Sequence, residues 1–442
     1  MSKKGRWCTL ASIGLAVAIA GCSTGSPGAG KASDKETEQI PASLTEPVEL
    51  SFRLYVGSIT NEEQFMKVFG NKIRERFPNV TPKLIPSNES MKSILENNRS
   101  IDIIYDAYGQ LYKNLIDFKM QYDLSDLIKK YKYDLTPLEP SAVEAMRQVA
   151  GGGLYGLPVS IDTVNMIYNK ELFDRFGVPY PKDGMTWEET YELARKMSRT
   201  ENGVKYYGMV LSPQHTTLGD QLSPDFIGLK DNTANLSSDK FKQVFQTLTH
   251  YFTLPGNEVD DATWGFTAQR KLFSENKVAM LLGASALGTR FFADNYKELD
   301  WDLASYPRYK ELPMVGPQLA PGYFLIPSNS VNKDMAFQVT AFVTSKEFQM
   351  HLSRNGYWPA LKDPVVWNEY GKELPFMEGK NIKAMIPDNP ALIAPLSKYQ
   401  GLALPQIQTA FKDVLVGKKD LNTALREADE RLNRSIEAEL KQ

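Results

Sequence analysis

Apolar and polar residues alternate over residues 48–55 (VELSFRLY), the pattern of a half-buried strand, with turn residues Gly57 and Ser58 behind it. The period then changes. Phe65, Met66, Phe69, Ile73 and Phe77 recur at helical spacing, Thr60 and Glu63 predict a capping box ahead of them, and Pro78 stops the run. Residues 80–85 read as a second strand, 90–97 as a helix and 101–105 (IDIIY) as a third strand. This βαβαβ order predicts a mostly parallel, doubly wound sheet. In such sheets ligands sit beyond the carboxyl ends of the strands. Tyr55, Asp106 and Tyr108 fall at such ends and are candidate contacts.

Further along, Pro158 holds residues 154–160 out of helix geometry, and 164–168 (VNMIY) are apolar and β-prone enough for a buried strand. Residues 171–176 make a short helix stopped by Gly177 and Pro179, and Thr186 with Glu189 caps the next one. Residues 205–211 read as a strand, 240–251 and 266–275 as helices. Residues 301–306 lead through Pro307 to Pro321-Gly322-Tyr323 and a strand at 324–326; helices are expected at 333–345 and 421–440.

Ahead of the first strand, Lys3, Lys4 and Arg6 precede a small and apolar run from Thr9 to Ala20, and Ile-Ala-Gly-Cys stands at 19–22. The run is too short and wrongly flanked for a membrane span, so residues 1–21 read as a secretory signal. A thiol directly after small residues forms a lipobox, which makes Cys22 the lipidated start of the mature chain, held outside the cytoplasm on the bacterial cell membrane. Cys8 falls in the removed segment, leaving no disulfide or thiolate metal site to expect. Residues 22–47 are Ser/Gly/Lys/Glu/Pro-rich and read as a flexible tether. Losing a +3 segment takes the formal charge from −2 to −5, with no electrostatic footprint for nucleic acid. Residues 48–442 are long enough for two domains.

YGLP (155–158), YNK (168–170), LFDRFGVPYP (172–181) and TWEE (186–189) follow one another in this order. That series resembles the central signature of the family 1 extracellular solute-binding proteins of ABC importers, carbohydrate type. FSENKVAMLLG (273–283) is similar to another run of the family, with Asn276 where glycine is usual, and GYWPA (356–360) resembles its later turn. The resemblance implies an α/β fold of periplasmic-binding-protein type II, with two doubly wound lobes, joined by hinge crossings at about 159–162 and 320–323. The first lobe is then 48–160 with 322–365, and the second 161–321 with 366–442. It also implies a cleft for a small solute, a membrane permease that accepts the loaded form, a monomeric receptor, no cofactor and no catalysis.

Enzyme motifs fail on context. Gly151–Gly156 satisfies G-x-G-x-x-G, but a helix precedes it and Pro158 follows, so it reads as a turn rather than a dinucleotide site. Ser237-x-x-Lys240 has no K-T-G behind it. His215, His250 and His351 are too scattered for a metal set, and His250 reads as a partly buried structural residue. Asp260 and Asp261 read as a solvated turn.

Aromatic residues make up 11% of the chain. Their faces stack on sugar C–H surfaces while polar neighbours take the hydroxyls. Trp264, Tyr323 and Trp358 are candidates of this kind, with Ser160, Asp162 and Gly322 at the crossings and Ser285 after Gly283. Where maltodextrin-type relatives carry cleft tryptophans, this chain has Asp106, Ser285 and Leu404. A mono- or short oligosaccharide is therefore expected, not a long α-glucan. The competing readings are a secreted carbohydrate-active hydrolase, a receptor for a peptide or polyamine, and a surface adhesin.

Overall fold

Leu50, Phe52 and Leu54 bury one face of β1 (Val48–Leu54). β1 pairs in parallel with β2 (Val80–Ile85) on one side and β3 (Ile103–Ala107) on the other. The computed structural model describes residues 45–55, 59, 61–285, 296–385, 387 and 389–441, so the signal segment, Cys22 and Thr60 lie outside the described residues. The first helix is capped by Asn61, whose carboxamide accepts from the Gln64 N–H at 3.0 Å, in place of the expected Thr60 cap. Asparagine is as good a cap as threonine, and at 61 it puts Glu62 and Glu63 in the first turn, where the helix dipole favours them.

β4 (Gly156–Asp162) and β11 (Ala320–Leu325) complete the first sheet, in the order β2-β1-β3-β11-β4. β11 runs antiparallel to both of its neighbours. The second sheet has the order β6-β7-β8-β5-β9, from β5 (Val164–Asn169), β6 (Arg199–Glu201), β7 (Val204–Leu211), β8 (Val278–Ser285) and β9 (Trp301–Ala304). There β7 and β8 are parallel and the remaining pairs antiparallel. Both sheets are therefore mixed, within the α/β class that the chain order predicts. A short ribbon joins β10 (Gly316–Gln318) to β12 (Pro390–Ala391).

Local signals hold well. Thr186 and Glu189 form the capping box in full, and Gly177 ends its helix in the left-handed region at φ 65°. Asn276 also sits at positive φ, 59°, a backbone that asparagine tolerates. Its side chain binds Asn169 and Glu171, both at 2.6 Å. His250, by contrast, is exposed and stacks its ring on Tyr191 at 4.2 Å, which corrects the expectation of partial burial. The helix Asp239–His250 turns its Phe241, Val244, Phe245 and Leu248 inward instead.

The core around the second sheet is aromatic. Phe245 stacks on Phe411 at 4.1 Å, tying the helix Asp239–His250 to the helix Gln400–Leu415, and Trp187 meets Tyr251, Tyr306 and Tyr309. A polar knot holds the return crossing to this core. Asp220 is fully buried and accepts from the Leu222 N–H (2.9 Å), Tyr309 (3.2 Å) and Tyr306 (3.5 Å). Its carbonyl accepts from Gln318 Nε2, while Gln318 Oε1 accepts from the Ala394 N–H at 2.7 Å.

Burial pushes the Asp220 carboxyl up to about 7, against the pull of its donors. The folded chain then holds a proton that the unfolded chain releases near 3.8, so this group's contribution to stability falls as pH rises through that window. Asp220→Asn removes the titration while keeping an acceptor. The thermal midpoint of the variant should gain on the wild type as pH goes from about 4 to about 7, then run parallel. A gap that is the same at every pH would refute this account.

Candidate functional site

The chain leaves the first sheet at Asp162, crosses at Thr163 and enters the second at Val164; it returns through Leu319 into β11. These crossings lie side by side, because Ala320 pairs with Asp162 and Gly322 with Ser160. On the other edge of β11, Gly322 pairs with Ala107 and Tyr323 with Asp106. Val164 pairs with Ser285 at the end of β8. Sheet pairing therefore joins Asp106, Ser160, Asp162, Gly322 and the backbone of Ser285 into one connected row. The Tyr55 N–H donates to the Tyr105 carbonyl at 2.8 Å, which attaches Tyr55 to the same edge.

Asp106 is the most constrained of these groups. It is fully buried, with Oδ1 accepting from the Ala107 N–H at 2.8 Å and Oδ2 from Asn114 Nδ2 at 2.7 Å. Burial raises its carboxyl to about 6, and those donors oppose the rise. The Tyr105 hydroxyl lies 2.7 Å from Ser160 Oγ, and burial raises its ionisation well above the ordinary phenol range. Gly322 makes room for that pair: a Cβ there would stand 2.8 Å from Ser160 Oγ and 2.9 Å from the Tyr105 ring. Asp162 is half-buried and accepts from the Thr163 N–H at 2.9 Å. Tyr108 is buried, and its hydroxyl accepts from the Leu396 N–H at 3.2 Å.

Three aromatic candidates have other places. Tyr323 is fully buried and donates to the Ala142 carbonyl at 2.7 Å, so its ring packs inside the first lobe and leaves no face for a solute. Neighbouring side chains of β11 point to opposite faces of the sheet, and both faces are covered, since Tyr323 and Phe324 are each fully buried. Trp358 is buried against Tyr370 and Trp367, beside Ile161 and Leu319 of the crossings, and its carbonyl accepts from the Ile161 N–H at 2.9 Å. Trp264 sits ahead of the helix Phe266–Ser274, half-buried, with the Lys412 ammonium 5.7 Å over its ring; the strand pairing does not reach it.

The carboxyl end of β7 adds residues missing from the sequence-based set. Ser212 caps the helix Pro213–Leu218 and lies 2.6 Å from His215 Nδ1; a Cβ on Gly283 would come within 3.2 Å of Ser212 and 3.5 Å of His215. Burial, then the Arg270 charge, holds this imidazole below its ordinary value. The strand-end rule that picked out Tyr55 applies equally to KYYGMVL followed by Ser-Pro-Gln-His.

Residues 57–350 match the model for bacterial extracellular solute-binding proteins. The chain belongs to that family. Its members are binding receptors and not enzymes, which sets the hydrolase reading aside. Among similar proteins, a binding protein of Brucella abortus is 24% identical over 71% of this chain and 75% of its own length. An ABC substrate-binding protein of Listeria monocytogenes, solved in complex with cycloalternan, matches with a TM-score of 0.70 at 19% identity, over 88% of this chain and 99% of that one. A solute-binding protein of Thermotoga lettingae, solved with alpha-D-tagatose, gives 0.63 at 19% identity, over 87% and 99%. These structures share the fold.

Tyr108→Phe tests how the end of β3 is tied to the segment ahead of the helix Gln400–Leu415. The Leu396 N–H would stay buried without its acceptor, at a cost of about 1–3 kcal/mol. Urea unfolding should show a lower midpoint at unchanged slope. An unchanged midpoint would mean that this hydrogen bond contributes nothing.

Proposed function

We propose that this solute-binding protein captures a mono- or short oligosaccharide between its two lobes and delivers it to the membrane permease of an ABC importer. In this reading the receptor is tethered outside the cell membrane by lipid on Cys22. The observation that carries the reading is the row of oxygen acceptors along the paired crossings: the Asp106 carboxylate, the Ser160 hydroxyl and the Asp162 carboxylate. Sugar hydroxyls are donors and meet such a row one by one. A peptide backbone would need as many donors as acceptors, and a polyamine would need exposed carboxylates and aromatic faces. The cycloalternan and tagatose held by the Listeria and Thermotoga proteins agree with a saccharide. Buried polar groups reject analogues that leave them unpaired, so selectivity between epimers is expected to be sharp.

Calorimetry of the mature protein against sugars of increasing length, a peptide mixture and spermidine decides the ligand class. A short sugar should bind at about micromolar affinity, near −8 kcal/mol. Asp162→Ala should weaken that sugar by roughly 1.5–3 kcal/mol, the worth of a hydrogen bond to a charged group, or about ten- to a hundredfold. Binding confined to the peptide or to spermidine would refute the saccharide reading, and an Asp162→Ala variant of full affinity would take that residue out of the site.

The anchor is tested separately. Cys22→Ala should shift the protein from the membrane fraction to the soluble or unprocessed pool, whereas wild-type partitioning of the variant would refute lipidation.

A further inference from the structure

Past Tyr108 the chain continues through Gly109 and Gln110 into the π-helical turn Tyr112–Ile116. Facing this turn is the amino end of the helix Gln400–Leu415, and the last turn of the helix Leu421–Leu440 closes one side. Between them opens a cavity of about 450 Å³, within the range of about 300–1,000 Å³ usual for small-molecule sites. The hydrogen bond from Leu396 to Tyr108 stands at its inner edge, because Gly109 and Ser397, the next residues on each side, already line the cavity.

Two places in the wall are bare. A Cβ added to Gly109 or to Gly401 would meet nothing within 4 Å, and neither glycine needs positive φ. No backbone demand therefore requires glycine there, and the space that each leaves is part of the cavity. The remaining lining is mixed. Tyr112 is half-buried and offers an aromatic face, Gln110 and Gln400 offer amides, and the charges are of both signs, Lys113 and Lys398 against Asp117 and Glu439. Opposite charges in one small cavity favour neither a free anion nor a free cation. A neutral polyol uses all of them: its hydroxyls both donate and accept, and the C–H face of its ring lies on an aromatic.

We infer that this cavity is an accessory subsite that takes the second or a later ring of an oligosaccharide whose first ring lies along the Asp106–Asp162 row. The inference rests on the saccharide reading above. It assigns Gly109 and Gly401 as the residues that set how long a sugar the receptor accepts.

Gly401→Phe and Gly109→Leu fill the cavity from two different elements. Both variants should keep the wild-type thermal midpoint, since the added side chains enter open space and either residue is a better helix former than glycine. Calorimetry would use glucose, galactose, mannose, xylose and arabinose, with the di- to tetrasaccharides of each. In the wild type, affinity for one series should rise by about tenfold or more beyond the monosaccharide. In both variants that rise should vanish while the monosaccharide affinity stays within about twofold. An affinity that is flat with length, or a length-dependent rise that survives in both variants, would overturn the subsite and leave the saccharide reading standing. Equal loss at every length would also overturn it, because the cavity would then belong to the first ring. If the wild type binds no sugar of the panel, both readings fall together.

Discussion

Everything at the candidate site depends on one ladder, the antiparallel pairing of β4 with β11. These are the strands by which the chain leaves the first sheet and returns to it. Because Ala320 lies opposite Asp162 and Gly322 opposite Ser160, the two crossings cannot drift apart without breaking backbone hydrogen bonds. A glycine at 322 is the condition for that closeness, with the Tyr105–Ser160 pair filling the place of a side chain. The ladder fixes where the second sheet begins, and so where Ser285 stands relative to Asp162.

Around that ladder the chain buries polar groups and satisfies them. Asp106 at the end of β3 and Asp220 beneath the return crossing are both fully enclosed, and both lie beyond the ordinary carboxylate range because burial disfavours their charge. Their donors differ in kind. Asp220 is surrounded by tyrosine hydroxyls and a backbone amide from its own lobe, a closed set that suits a structural pin. Asp106 has one backbone and one side-chain donor, one fewer than Asp220. Burial alone would not tell these two aspartates apart. Their position relative to the strand ends does.

Elements governed by local chemistry were legible in advance. The Thr186–Glu189 box, the stop at Gly177 and the turn at Gly151–Gly153 each need only a few neighbouring residues. Strand ends could be read as well, which is why Tyr55 and Asp106 were placed at the edge of the first sheet, and Ser212 and His215 were open to the same rule. The aromatic candidates fared differently. Tyr323 and Trp358 stand beside predicted loops in the sequence, yet both are buried, because the partners that cover them, Ala142, Tyr370 and Trp367, arrive from other parts of the chain.

Hydrophobic period, caps and turn residues thus determined the α/β class, most element boundaries and the family resemblance, since each is a property of residues within one or two turns of one another. Tertiary structure decided the rest. It set the antiparallel course of β11, which depends on where a strand more than 150 residues later finds an open edge. It decided which aromatic rings are enclosed. It also decided that Gly109 and Gly401 line one cavity. No local pattern encodes such meetings, because they are settled by how whole elements pack, and packing is a property of the complete chain.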